Sequence, residues 1–276
     1  MISQSVFGGR RSSGHACGMS GDPNGLIARS LGDPAIYGQA GYSVRFDWGL
    51  DGARAVAAGV DAIVVVDVFS FTTSVSVALG RGAVVFPYRW RDESAKDFAA
   101  ARHAVLAGNR GEGTISLSPQ SMARLGAGDR VVLPSPNGAT ICAEMAEQGI
   151  RVIAGSIRNA AAVARFVKER GWSLAVIAAG EHWRGASGMR PCLEDLLGAG
   201  AILASVGEAD CSPEARSAIG AFRDLEHDLA ATLRACAGGR ELEAWGYVED
   251  VTMAAVLNAD ECVPLLAGDG FFANVE

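Results

Sequence analysis

The stretch Asp61-Ala62-Ile63-Val64-Val65-Val66-Asp67, followed at once by Val68-Phe69-Ser70-Phe71-Thr72-Thr73-Ser74, decides how this chain is read. A continuous run of Val and Ile ends in an acid, and a hydroxyl-rich turn then opens a helix. Such a run predicts a strand buried on both faces, as in a parallel sheet. Its last acid, Asp67, then stands at the carboxyl edge of the sheet, where open α/β folds place their ligands.

Outward from this unit the pattern alternates. Strands are predicted at Ser43–Trp48, Ala83–Phe86, Arg130–Leu133, Arg151–Ala154 and Leu174–Ala178, with a last one at Cys262–Leu266. Helices are predicted after Trp48, at Thr72–Leu79, Asp92–Leu106, Asn137–Gln148, Asn159–Arg170 and Leu193–Val206. In the Asp92–Leu106 helix, Phe98, Ala101, Val105 and Leu106 should face the core. Ser212-Pro213-Glu214 is a helix start, and Ile219, Phe222, Leu225, Leu229 and Leu233 extend it as one long helix. A further helix spans about Tyr247 to Leu257. The fold class is therefore α/β, a largely parallel or mixed sheet covered by helices on both faces, with a helical C-terminal section. Residues 1–40 are rich in Gly and Ser, without periodicity, and read as a disordered extension. Residues 41–276 read as the working domain, with a division into two lobes left open near the irregular segment 108–130.

Composition narrows the class. Of 276 residues, 49% are hydrophobic and 20% charged, with a formal net charge of -7, which argues against a nucleic-acid partner. No apolar run approaches the ~20 residues of a membrane span. The cysteines, Cys17, Cys142, Cys192, Cys211, Cys236 and Cys262, form no C-x-x-C pair and predict free thiols in a cytoplasmic protein. Homo-oligomer formation is left open.

Four strand ends carry polar clusters. They are Asp67 with Thr72 and Thr73; Ser135-Pro136-Asn137-Gly138-Ala139-Thr140; Gly155-Ser156-Ile157-Arg158-Asn159; and Gly180-Glu181-His182-Trp183-Arg184 leading to Leu193-Glu194-Asp195. In a parallel sheet all four ends lie on one edge. Asn137 and Asn159 are suited to N-caps, and helix starts favour an anion. Arg158 can grip a phosphate, sulfonate or carboxylate with two donors. Asp67, Glu181, Glu194 and Asp195 suit a hard cation such as Mg²⁺. Anion donors beside an oxygen-rich patch fit Mg²⁺-assisted phosphoryl chemistry. Each residue also has a bland role: Asp67, Asn137 and Asn159 as caps, Glu194 and Asp195 as first-turn acids, Arg158 as a surface residue. The P-loop, G-x-G-x-x-G and G-x-S-x-G signatures are missing. Phe69 breaks a D-x-D phosphatase pair, and Cys211 and Arg216 are too close for C-x₅-R.

At these residues the chain resembles the 2-phosphosulfolactate phosphatase family. The likeness lies in Val66-Asp67-Val68-Phe69 with Thr72-Thr73, Ser135-Pro136-Asn137-Gly138, Gly155-Ser156-Ile157-Arg158-Asn159-Ala160, and Ala178-Ala179-Gly180 with Leu193-Glu194-Asp195. Glu249-Asp250-Val251 and Val263-Pro264 add to it. Ser70 stands where such sequences carry Arg, and Gly108-Asn109-Arg110 where they carry Gly-Glu-Arg. The resemblance implies an α/β, Mg²⁺-dependent phosphatase acting on a 2-phospho-3-sulfo acid. The reading that follows is a cytoplasmic phosphomonoesterase for a small, multiply anionic phosphate ester. Asp67, Glu194 and Asp195 are the candidate metal ligands, and Asp67 and Glu181 the candidate catalytic groups. Thr72, Thr73, Asn137, Thr140, Ser156, Arg158 and Asn159 are the candidate substrate contacts. A lyase or isomerase on a similar anion, or a non-catalytic anion-binding protein, also fits these residues.

Overall fold

Ala62–Val66, here β2, is buried along its whole length, and its side chains divide between two cores. Ala62, Val64 and Val66 pack on one face, Ile63 and Val65 on the other. Such alternation is what a strand covered on both sides requires. Leu174–Ala178 (β7) divides in the same way. The computed structural model describes residues 34–90, 92–183, 185, 187–268 and 270–275.

The strands in chain order are β1 (Val44–Trp48), β2, β3 (Val84–Tyr88), β4 (Val105–Leu106), β5 (Arg130–Pro134), β6 (Arg151–Gly155), β7, β8 (Glu181–His182), β9 (Met189–Arg190), β10 (Pro264–Leu266) and β11 (Phe272–Asn274). After a short helix at Pro34–Tyr37, the helices are α1 (Gly49–Val56), α2 (Phe71–Gly80), α3 (Ser94–Ala101), α4 (Pro119–Met122), α5 (Gly138–Glu147), α6 (Ala160–Glu169), α7 (Leu193–Val206), α8 (Pro213–Leu225), α9 (Leu229–Ala235), α10 (Ala237–Ala244) and α11 (Val248–Ala254). Among the described residues nine strands form one sheet in the order β1-β7-β2-β6-β10-β11-β3-β5-β4. Helices α6 to α11 cover one face, and α1, α2, α4 and α5 the other.

The sheet is mixed. β1, β7, β2 and β6 run parallel, as do β3, β5 and β4. Between these groups lies the β10–β11 hairpin, antiparallel to β6 on one side and to β3 on the other. The second parallel group is therefore reversed relative to the first. A rotation of roughly 20–25° per strand accumulates about 100–125° over the five steps from β2 to β5. The two groups thus cross, and the carboxyl ends of β2, β5 and β7 meet at one corner. The sheet is the mixed one that the sequence allowed, but the end of β5 reaches the corner from the reversed group rather than along one edge with those of β2, β6 and β7.

Other departures have local causes. The helix expected over Asp92–Leu106 stops at Ala101, and His103 takes a left-handed φ of 49°. Val105 and Leu106 instead pair with Val131 and Val132 at the sheet edge, and Ala101 and Val105 are exposed rather than core-facing. Edge pairing satisfies backbone groups that a frayed helix end would leave to water. The long C-terminal helix is broken by a 3₁₀ turn at Glu226–Asp228, although Leu229 and Leu233 are buried as expected. α10 and β11 have no counterpart in the sequence reading.

Residues 35–276 form one compact unit, and the irregular segment 108–130 lies within it rather than between two lobes. Order begins before Gly41: the Gln39 side chain donates to the Phe46 carbonyl and accepts from the Phe46 N–H, at 2.8 and 3.2 Å. Residues 1–33 of the expected extension, with Cys17, lie outside the described residues. The other five cysteines are free and buried. No helix among the described residues is long and apolar enough to cross a membrane.

Candidate active site

Asp67 follows β2 and is the hub of the corner. Its Oδ1 accepts the Ser70 and Phe71 N–H groups at 3.2 and 3.4 Å. Its Oδ2 accepts the Gly138 N–H at 3.1 Å and the Ser135 hydroxyl at 3.3 Å. One carboxylate therefore caps both α2 and α5, where the free N–H groups and helix dipoles favour negative charge. Gly138 is required for this approach. A Cβ there would lie 2.5 Å from Phe71 Cδ1 and 2.7 Å from Asp67 Oδ2.

Asn137 sits at the N-cap position of α5 but makes no capping bond with its side chain. Its Nδ2 instead donates to Glu181 Oε1 at 2.9 Å, across 44 residues of chain. Glu181 follows β7 after Gly180, whose φ of 65° and closeness to Met189 exclude any side chain.

Asp195, in the first turn of α7, ties two strand ends together. Its Oδ1 accepts the Val68 N–H at 2.7 Å and its Oδ2 the Gly180 N–H at 2.9 Å. Glu194 accepts from the Cys236 thiol at 3.4 Å and lies against Gly238 of α10. Both acids are buried, at 5% and 3% exposure.

A cavity of about 1060 Å³ gathers these groups. Asp67, Ser135, Asn137, Glu181, Glu194 and Asp195 line it, together with Arg110, Arg190, His182 and Trp245. Burial and mutual repulsion work against ionisation here. Asp67 is raised above the usual carboxylate range by desolvation and then by Glu181. Asp195 is raised well above it by desolvation, then by Asp67 and Glu194. Glu194 is raised by desolvation. The Cys236 thiol beside Glu194 is pushed up to about 12, first by burial. Arg190 stands 3.8 Å from Glu241, and Arg110 is 2.9 Å from Asp250. The wall is acidic, and its two arginines are each engaged by an acid.

Several expected contacts lie elsewhere. Thr72 folds its hydroxyl back, accepting the Asp67 N–H at 3.0 Å and donating to the Asp67 carbonyl at 2.9 Å. Thr73 is fully buried, and Thr140 is not among the cavity-lining residues. Ser156 and Asn159 form a capping box with each other, both completely buried. The Asn159 amide then donates to the carbonyls of Ala154 and Cys262. The end of β6 is thus sealed by the C-terminal segment, although β6 lies beside β2.

Arg158 is part of that seal. Its Nε and Nη2 each reach the Asp260 carboxylate at 2.8 Å, and Nη1 donates to the Met253 carbonyl at 2.7 Å. The side chain is 13% exposed and has no donor turned to the cavity. It staples residues 253–260 to the start of α6 instead of holding a second anion. Arg158→Ala is expected to destabilise the fold by about 2–4 kcal/mol, because Asp260 would lose a largely buried partner. Denaturant unfolding measures this. Turnover of charged and neutral esters should fall in equal proportion, and selective loss of charged esters would return Arg158 to the site.

Arg110 and Asp250 enter the sequence reading only through the family resemblance, as Gly108-Asn109-Arg110 and Glu249-Asp250-Val251, and neither they nor Arg190 are among its candidate site residues. Ser118 was missed, and no periodicity in the irregular segment could point Arg110 at α11.

Residues 54–269 match the family model described as 2-phosphosulpholactate phosphatase. A protein of Gloeobacter violaceus named "Probable 2-phosphosulfolactate phosphatase" is 28% identical over 214 residues, 74% of this chain and 87% of the relative. One of Parasynechococcus marenigrum, with the same name, is 28% identical over 228 residues, 77% of this chain and 92% of the relative. A third, from Deinococcus radiodurans and also so named, is 32% identical over 225 residues, covering 76% and 89%.

Proposed function

Because the chain belongs to the 2-phosphosulpholactate phosphatase family, we propose that this enzyme hydrolyses the phosphate ester of a 2-phospho-3-sulfo acid with the help of Mg²⁺. The observation that carries the reading is the meeting of Asp67, Glu181, Glu194 and Asp195 on one cavity. An acidic wall repels a phosphate ester unless a cation stands between them.

The donor set suits Mg²⁺, being made of carboxylate oxygens alone. Among the described residues no three His, Cys, Asp or Glu groups are gathered closely enough to ligate one ion. That favours a cation held by one or two carboxylates, water and substrate phosphate, which is the usual Mg²⁺ arrangement. Asp67, with Glu194, would hold it, since Asp195 gives both its oxygens to the Val68 and Gly180 N–H groups. When bound, Mg²⁺ would offset the ester's negative charge and polarise its phosphoryl oxygens. Asp67 is fixed in orientation by its four donors, which pre-organises the site. Glu181, to which the Asn137 amide donates, would take the proton of an attacking water. A cytoplasmic setting, with its free buried thiols, belongs to the same proposal.

Release of inorganic phosphate from 2-phosphosulfolactate, with Mg²⁺ and with chelator, tests the reading. Turnover is expected with Mg²⁺ alone; chelator-insensitive turnover would remove the metal, and absent turnover the substrate. Mg²⁺ without substrate should also raise Tm. Because Asp67 and Glu194 both hold protons more tightly than usual, protons compete with the cation at low pH. The shift should therefore be larger at pH 8 than at pH 5.5, approaching about 2.7 kcal/mol of stabilisation at a hundred times Kd.

A further inference from the structure

Arg110 carries a donor that the protein does not use. Its Nε bonds Asp250 Oδ2 at 2.9 Å, but Nη2 is buried and without a hydrogen-bond partner among the described residues. A side-on guanidinium normally gives Nε and Nη2 to the two oxygens of one carboxylate. Here the second oxygen is taken: Asp250 Oδ1 accepts from the Ser118 hydroxyl and, at 3.5 Å, from the Gln120 N–H. Asp250 is itself only 3% exposed. The acid is thus locked by α4, and it anchors Arg110 while leaving half of the fork unfilled.

An unpaired buried donor costs on the order of 1–3 kcal/mol, and more when charged. Its persistence in a native fold calls for an explanation. Location supplies one. Arg110 lines the same cavity as Asp67 and Glu181. Its side chain is 14% exposed and stands at the wall of that cavity. The centre of the Tyr247 ring lies 5.7 Å from the guanidinium carbon.

We propose that Arg110 is a specificity-determining residue, whose Nη2 hydrogen-bonds the oxyanion group of the substrate that is not its phosphate. This rests on the proposed phosphatase reading. The anion recognised is a sulfonate or a carboxylate, since both offer an oxygen to a single guanidinium N–H. Arg190, at 3.8 Å from Glu241, has no comparable bidentate vacancy to explain.

The test compares Arg110→Lys and Arg110→Ala with wild type on three esters: 2-phosphosulfolactate, 2-phospholactate and 4-nitrophenyl phosphate, all with Mg²⁺. Arg110→Lys keeps a charge beside Asp250 but not the fork. Both variants should raise KM for 2-phosphosulfolactate ten- to a hundredfold, at least tenfold more than for the nitrophenyl ester. An equal rise for 2-phospholactate assigns Nη2 to the carboxylate that both acids share, and a rise for 2-phosphosulfolactate alone assigns it to the sulfonate. If Arg110→Ala does not fold, the pair Arg110→Met/Asp250→Asn removes the orphaned acid and must still show the differential loss. Equal fractional losses on all three esters, in any folded variant, would overturn the assignment while leaving the phosphatase reading intact. A wild type that cleaves only the nitrophenyl ester would overturn the substrate reading and this assignment with it.

Discussion

Asp67→Asn is expected to lower phosphate release by about 10²–10⁴-fold, the range for loss of a group that acts directly at the reacting centre. The substitution is isosteric, so the cavity keeps its shape. What changes is charge and polarity: one oxygen becomes an NH₂ group facing N–H donors at the start of α2 or of α5. That costs hydrogen bonds, but it also removes a buried charge that desolvation already disfavours. The two effects oppose each other, and Tm should move by only a few degrees. A folded variant with Mg²⁺ affinity lost and turnover collapsed is the predicted result. Near wild-type turnover would take Asp67 out of the chemistry and leave it as a helix cap.

Asp195→Ala should instead break the scaffold. Its two oxygens are the acceptors for the Val68 and Gly180 N–H groups, both buried. Removing them leaves two unpaired backbone donors, at about 1–3 kcal/mol each. The gain from deleting a disfavoured charge offsets part of this. A net loss of about 2–4 kcal/mol in denaturant unfolding is expected, with Asp195→Asn milder because one acceptor survives. The pH dependence has a definite sign. A carboxyl held above its unfolded value binds its proton more tightly in the folded state, so its contribution is full at low pH. It is lost as pH rises through the folded value. Stability of the wild type should thus decline from mildly acidic to neutral pH, and Asp195→Asn should flatten that slope. If Asp195→Ala unfolds within 1 kcal/mol of wild type, the acid is not the clamp between β2 and β7 that its bonds suggest.

The two variants separate roles that the sequence could only group together. Asp67 and Asp195 were both legible as strand-end or helix-start acids, since each follows or precedes an apolar run with clear periodicity. Nothing in the spacing says that Asp195 spends both oxygens on backbone while Asp67 faces a cavity. Thr72, Ser156 and Asn159 show the same limit. They are turn and cap residues by local chemistry, and they stay so because the chain folds back over them.

What the sequence by itself determined is local. The runs Ala62–Val66 and Leu174–Ala178 are short and apolar throughout, and the first is almost wholly β-branched, which favours strands buried on two faces. The apolar spacing of Leu229 and Leu233 had to face a core. Asp67, Asn137, Glu181, Glu194 and Asp195 had to stand at element ends. Only the tertiary structure decided which ends meet. The β10–β11 hairpin, from residues 264–274, inserts into the middle of the sheet and reverses the group that holds β5. Twist then swings the end of β5 onto the end of β2, bringing Gly138 to Asp67 and Asn137 to Glu181. The segment 253–262 closes the end of β6 and captures Arg158. These pairings span 44 to 102 residues, and they depend on sheet order, twist and the burial of distant chain, none of which has a period that a sequence can display.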